Sequence, residues 1–228
     1  MIDLAQANRV DPLKRMAEKE NGTQEYSPMD PPGAYEPPAL DTVPYENMHP
    51  GLRKLIDDHK EMKKQLDQFE AHLLAFKQQG WHHNAETQKA MSAFFSFMDS
   101  EFVKHSQKEE KVLFPVLQAK MMEHEEHSKG KFPKTAIDMM EDDHLKIMQH
   151  LTLMFNFLSL ATRLPDATSR ALTFDVATEQ GISLIELLKL HMFREENIVF
   201  PKGHQHISHA EFGALEKKMD LFNSYWVL

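Results

Sequence analysis

The chain contains no cysteine. This excludes disulfides, zinc–thiolate sites, thiolate nucleophiles and iron–sulfur ligation by its own residues. Glycine is scarce, at 8 of 228 residues, and tryptophan occurs twice, which argues against a turn-rich β barrel or propeller. No apolar run is long enough to span a bilayer. The most apolar stretch, 151–161, is interrupted by Thr152, Asn156 and Ser159. The first twenty residues lack a continuous apolar core, so no secretory signal is expected there. Basic charge is not in excess either: the formal net charge of −9 disfavours a nucleic-acid footprint. These absences lead to the expectation of a soluble, cytoplasmic protein that engages neither nucleic acid nor membrane.

What is present is apolar and helical in character. The chain is 41% hydrophobic and 27% charged, enough for a sizeable core. Fifteen Met and fifteen Phe suit helix packing better than β-branched strand packing. Seven of the twelve prolines fall between Pro28 and Pro50, so this segment should be extended. It reads either as a flexible leader or as a strap whose Tyr35, Leu40, Val43 and Tyr45 dock in grooves. Residues 5–20 could form a short helix.

From Gly51 onward the pattern is helical. Leu52, Leu55, His59, Met62, Leu66, Phe69, Leu73 and Phe76 recur at steps of three and four, the mark of one face of a bundled helix. That helix should stop near Gly80. A second seam holds Met91, Phe94, Met98, Phe102, His105, Glu109 and Val112. A third holds Ile137, Met140, His144, Ile147, Leu151, Met154 and Leu158. A fourth holds Leu184, Leu188, His191, Glu195 and Ile198. Pro133 and Pro165 sit where breaks are needed, and Pro115 and Pro201 are expected to end or kink the second and fourth helices. A short fifth helix should start at Ser208, with Glu211 completing a capping box. The expected fold is all-α: an up-down four-helix bundle over 49–203, preceded by a proline-rich extended arm over 1–48 and followed by a C-terminal helix within 204–228 that packs on the bundle.

The chain also repeats itself. His105-Ser-Gln-Lys-Glu-Glu-Lys-Val-Leu-Phe-Pro recurs 86 residues later as His191-Met-Phe-Arg-Glu-Glu-Asn-Ile-Val-Phe-Pro, and Asp57-Asp58-His59 recurs 85 residues later as Asp142-Asp143-His144. Two matches at nearly one offset indicate a duplicated helical hairpin. Whatever the repeated residues do, they do twice and face to face.

The seams carry polar residues that an apolar interior does not tolerate alone. Glu109 and Glu195 each lie four residues after a seam histidine, one helical turn further along the same side. An unpaired buried carboxylate costs several kcal/mol or is forced to protonate. With His59 and His144 on the other two helices, four imidazoles and two carboxylates converge on the bundle axis. Two cations resolve the set, each taking imidazole nitrogen while both carboxylates bridge. The rival is two protonated histidines paired to the two glutamates, and buried ion pairs rarely repay their desolvation. Nitrogen and oxygen donors without sulfur suit iron or manganese, with zinc possible. Asp58 and Asp143 could accept a ring N–H from a ligand, and Glu110 and Glu196 read as solvated or as hydrogen-bonding around the ligands. His72, His82, His83, His124, His127, His204, His206 and His209 are expected at the surface, with His204 and His206 able to pick up stray metal.

The set His59, His105-x-x-x-Glu109, His144 and His191-x-x-x-Glu195, with both Glu-Glu…Phe-Pro tails, resembles the hemerythrin-like HHE cation-binding family over roughly residues 50–202. The resemblance implies a four-helix bundle around a di-iron centre, bridged by the two carboxylates and an oxo or hydroxo group. It makes His59, His105, His144 and His191 terminal ligands and Glu109 and Glu195 bridges. Oxygen-carrying hemerythrins have a further histidine where this chain has Met148, and a last aspartate where it has Glu196. The pattern is closer to the symmetric subgroup with four His and two Glu, which includes proteins of nitric-oxide stress and iron–sulfur cluster repair. The implied function is a protein that binds or senses O2 or NO. The alternatives are an oxidoreductase acting on O2, peroxide or NO, and an iron storage or repair protein.

Overall fold

The computed structural model describes residues 43–81 and 84–222. The chain divides into two compact units, Met1–Pro38 and Ala39–Leu228, and all described residues belong to the second. The expected extended arm up to residue 42, with its short helix at 5–20 and its Tyr35 and Leu40, therefore lies outside the described residues, as does the His82-His83 pair.

The described residues form five helices and no strand. Helix α1 spans Pro50–Gln78. Helix α2 is a single rod assembled from Ala85–Phe97, Val103–Lys108 and Phe114–Glu123, joined by wider π-helical turns at Met98–Phe102 and Glu109–Leu113. Helix α3 spans Ala136–Ala161. Helix α4 runs as Ala167–Arg194, a π-turn Glu195–Val199, and Phe200–His206. Helix α5 is His209–Leu221. This is an all-α helical bundle, as the seams require. No described helix is long and apolar enough to cross a membrane.

Each helix start has a local cause. Pro50 occupies the first turn of α1, where its missing N–H is no loss, and the His49 ring nitrogen accepts from the Gly51 N–H at 3.1 Å. Asn84 caps α2 through the Thr87 N–H, and Asp166 caps α4 through the Ser169 N–H. Thr135 with Asp138 and Ser208 with Glu211 make reciprocal capping boxes for α3 and α5. Gly80, at φ +66°, takes the left-handed conformation that ends α1.

The seams bury as expected except at Met91, Leu158 and Ile198, which are half-buried. Leu52, Leu66, Leu73, Ile147, Met154 and Leu184 are fully enclosed, each stabilising the fold by roughly 1.5–3 kcal/mol relative to exposure. Below the polar centre, Phe69 of α1 stacks on Phe94 of α2 with ring centroids 3.7 Å apart. Gly181 lets α4 approach its neighbours, since a Cβ there would come within 2.7 Å of the Leu73 methyl carbon. Helix α4 continues to His206, so it meets α5 at Ile207–Ser208. Helix α5 buries Phe212, Leu215 and Met219. Its Phe212 stacks on His49, and its Glu216 pairs with Lys54 of α1 at 2.8 Å. At the start of the described chain, Tyr45 donates to Asp57 at 2.9 Å and Met48 is buried.

Pro115 and Pro201 do not end their helices. Each stands second in a segment that continues directly from a π-turn. Proline has no N–H to donate four residues back, and the widened turn accommodates the lost bond. In both copies the N–H of the preceding phenylalanine reaches five residues back, Phe114 to Glu109 O and Phe200 to Glu195 O. The extra residue rotates the remainder of the helix about its axis. Val112, Leu113 and Phe114 are consequently all buried, as are Val199, Phe200 and Pro201.

Candidate metal centre

Four helices each contribute to one buried polar cluster. Helix α1 supplies His59, α2 supplies His105 and Glu109, α3 supplies His144, and α4 supplies His191 and Glu195. All six side chains are at most 4% exposed. Both glutamates stand at the first position of a π-turn, a local distortion that recurs at functional sites.

The cluster resolves into two sets of four donor atoms. In one, His59 Nε2 and His105 Nε2 are 3.0 Å apart, with Glu195 Oε2 3.2 Å from His59 and Glu109 Oε1 3.2 Å from His105. In the other, His144 Nε2 and His191 Nε2 are again 3.0 Å apart, with Glu109 Oε2 3.5 Å from His144 and Glu195 Oε1 3.2 Å from His191. Each glutamate thus gives one oxygen to each set. Both sets qualify as metal-holding groups, with ligand atoms within 4.8 Å of one another.

The donor chemistry fits cations. All four oxygens of Glu109 and Glu195 are buried without a hydrogen bond. The imidazole nitrogens approach them at ion-pair distance but are not aligned as donors. Two buried carboxylates with no donor are expensive unless positive charge sits between them.

The protein alone supplies that charge only with protons. Burial pushes His105 down, but the Glu109 carboxylate and Asp58 outweigh it and lift the ring to about 10. His191 is lifted to about 10 in the same way, against burial, by Glu195 and Asp143. His144 rises to about 9, against burial, through Glu109 and Glu110. Burial would raise both bridging carboxyls, yet the imidazoles hold Glu109 low and Glu195 well below the usual carboxylate range.

Two phenylalanines close the centre. Phe200 stacks on His59 with centroids 5.6 Å apart, and Phe114 stacks on His144 at 5.9 Å. These are the phenylalanines of the two Phe-Pro motifs, turned inward by the π-turns. Phe102 meets His144 edge-on at 5.9 Å.

The outward ring nitrogens are addressed by carboxylates from neighbouring helices. His59 Nδ1 is 2.9 Å from Glu196 Oε1, His144 Nδ1 is 2.8 Å from Glu110 Oε1, and His105 Nδ1 is 3.3 Å from Asp58 Oδ2. His191 Nδ1 lies 3.7 Å from Asp143 Oδ2. Glu110 and Glu196, half-buried, hydrogen-bond the rings of the cluster, the second of the two roles expected of them. Asp58 and Asp143 serve the rings of the next helix rather than those of the adjacent His59 and His144. Lys63, Lys108 and Arg194, which hold these carboxylates, carry no sequence signal of that role.

The remaining histidines divide. His72, His124 and His209 are exposed. His206 is not: its side chain is 6% exposed and its Nε2 meets Glu126 Oε1 at 3.2 Å, because the last turn of α4 tucks under the 124–127 loop. His204 and His206 stand two apart on one helix and so point to different sides, and among the described residues the metal-holding groups include neither. His49, unremarked in the sequence, is buried as the cap of α1.

Comparison with protein-family models matches residues 50–203 to the family described as hemerythrin, the hemerythrin HHE cation-binding domain. Comparisons with curated proteins and with solved structures find no match.

Proposed function

The chain belongs to the hemerythrin HHE cation-binding family, and on that premise we propose that it is a non-heme di-iron protein that binds or senses a small ligand such as O2 or NO. His59, His105, His144 and His191 are its terminal ligands, and Glu109 and Glu195 its bridges, the arrangement of the symmetric four-His, two-Glu subgroup. The observation that carries this reading is the division of each glutamate's two oxygens between two sets of imidazoles. A single ion would not need both oxygens of both carboxylates.

Imidazole and carboxylate without sulfur suit iron, with manganese or zinc as competitors. The protein offers four donor atoms to each ion, fewer than the six that iron commonly takes, and this leaves room for an exogenous ligand. A carboxylate-bridged iron pair supplies the electrons that bind a diatomic molecule. The chain's own contribution is to hold the imidazoles at fixed angles and to screen them from bulk water with Phe114, Phe200 and Phe102.

Anaerobic metal analysis, with absorption spectra before and after O2, NO and peroxide, tests the reading. We expect about two iron ions per chain and a stoichiometric, reversible adduct with O2 or NO. Full helicity and stability with no metal retained would overturn the proposal. Repeated turnover with a chemical reductant would replace ligand binding with an oxidoreductase role, and uptake of iron well beyond the pair would replace it with storage.

A further inference from the structure

The carboxylates around the ligand rings are arranged in a circuit. Asp58 of α1 addresses His105 of α2, Glu110 of α2 addresses His144 of α3, Asp143 of α3 addresses His191 of α4, and Glu196 of α4 addresses His59 of α1. Each helix gives one carboxylate to the next helix's histidine, and the last closes on the first. A carboxylate on Nδ1 fixes that nitrogen as the N–H and leaves the Nε2 lone pair facing inward, which also makes the ring a stronger ligand.

The circuit is not uniform. At Asp58, Lys108 and His105 share Oδ2, at 3.1 and 3.3 Å. The repeat places Arg194 where Lys108 stands. Its Nη1 takes Asp143 Oδ2 at 2.9 Å, and His191 Nδ1 is left 3.7 Å away, buried and without a hydrogen bond. A second difference lies one link earlier. Glu196 is held by Lys63 at 2.8 Å. The position equivalent to Lys63, 85 residues on, is Met148, and among the described residues no lysine or arginine forms an ion pair with Glu110. The weak link is thus the one at His191, since Glu110, unshared with a lysine, meets His144 at 2.8 Å, the shortest contact of the circuit.

Resting on the di-iron reading above, we propose that Asp58, Glu110 and Glu196 are positioning residues, and that the break at His191, where Asp143 is taken by Arg194, makes the two cation positions unequal. The His59–His105 position holds its ion tightly. The His144–His191 position loads second and releases first, because no hydrogen bond selects the Nε2-inward form of His191. Loss of such a partner costs roughly 10–100-fold in metal affinity, and the two positions should differ by about that factor. The exchangeable ion is then the one in the His144–His191 set, so one half of the centre can be emptied while the other stays filled.

The test is an anaerobic titration of the metal-free full chain with Fe(II), followed by timed removal with EDTA, with iron counted per chain and helicity followed by circular dichroism. The expected result is two steps separated by about 10–100-fold, and a long-lived one-iron species during removal. Arg194→Lys gives the second half the cation of the first, so Asp143 becomes free to reach His191. It should narrow the gap by strengthening the weak step. Asp58→Ala should narrow the gap by weakening the strong step. Two equal steps in the wild-type chain would overturn the inference while leaving the di-iron reading intact. So would a gap unmoved in both folded variants, since a merely structural role for Arg194 would not strengthen binding. No iron uptake at all would overturn the di-iron reading and this inference with it.

Discussion

Replacing Glu195 with Gln should remove more than half of the difference in stability between the metal-loaded and the stripped protein. Glu195 offers Oε2 to the His59–His105 set and Oε1 to the His144–His191 set, so one substitution weakens both positions. An ion held at a free concentration 100 times its Kd stabilises the native state by about 2.7 kcal/mol. Two ions give about 5 kcal/mol. For a chain of this size each kcal/mol moves the melting temperature by roughly 2–4 °C, so the wild-type protein should melt roughly 10–20 °C higher with Fe(II) than with EDTA. In Glu195→Gln one oxygen remains as a neutral, weaker donor and the other becomes an amide nitrogen that cannot ligate. We expect less than half of the gap to survive. The assay is thermal unfolding by circular dichroism, with and without chelator, in each protein. Because the gap is internal to each variant, any change in the metal-free baseline cancels. Glu101→Gln, an exposed residue whose ion pair is with Lys104, should keep the full gap. A Glu195→Gln protein with an undiminished gap would refute the bridging assignment.

Packing and charge give two more expected outcomes. Phe200 is fully buried and stacked on His59. Phe200→Ala should cost about 3–5 kcal/mol in chemical denaturation of the stripped protein and should speed metal loss to EDTA; a loss under about 1 kcal/mol would show that the ring does not seal the centre. At the loop after α2, burial would raise Glu126, but Lys202 and His206 outweigh it and hold it below the ordinary carboxylate value. A lowered folded-state value means the contribution is present above the unfolded carboxylate pKa and is lost as pH falls through the folded one. Unfolding curves of wild type and Glu126→Gln should therefore differ at pH 6 and converge on acidification toward pH 3; a constant difference would sink this account.

The buried six-residue cluster was legible in the sequence because it obeys helical periodicity. His59, His105, Glu109, His144, His191 and Glu195 fall on apolar seams, and seams are what a single sequence displays best. The capping box at Ser208 was legible for a similar reason: its two members are local. What was not legible depends on how helices are arranged around one another. Asp58 stands beside His59 in the chain but serves His105 across the bundle, and no spacing rule on one helix encodes which neighbour lies on which side. The π-turns escaped for a different reason. Pro115 and Pro201 advertise a break, yet whether a helix stops or widens depends on whether the residues beyond it are needed in the core, and Phe114 and Phe200 are. His206 was misplaced at the surface because only the folded loop brings Glu126 over it.

The widened turn at Glu109 and its twin at Glu195 carry a record of origin. A one-residue insertion in register with the same Phe-Pro in both halves is more simply inherited once than acquired twice. If the repeat arose by duplication, the widened turn belonged to the single hairpin that preceded it. One hairpin carries two imidazoles and one bridging glutamate, half of everything the centre contains. Two separate copies of that ancestor, associating face to face about a twofold axis, would already have brought together both four-donor sets. Fusion freed each half to drift, and Met148 in place of Lys63's counterpart, like Arg194 in place of Lys108's, is the kind of divergence that a symmetric dimer could not have stored.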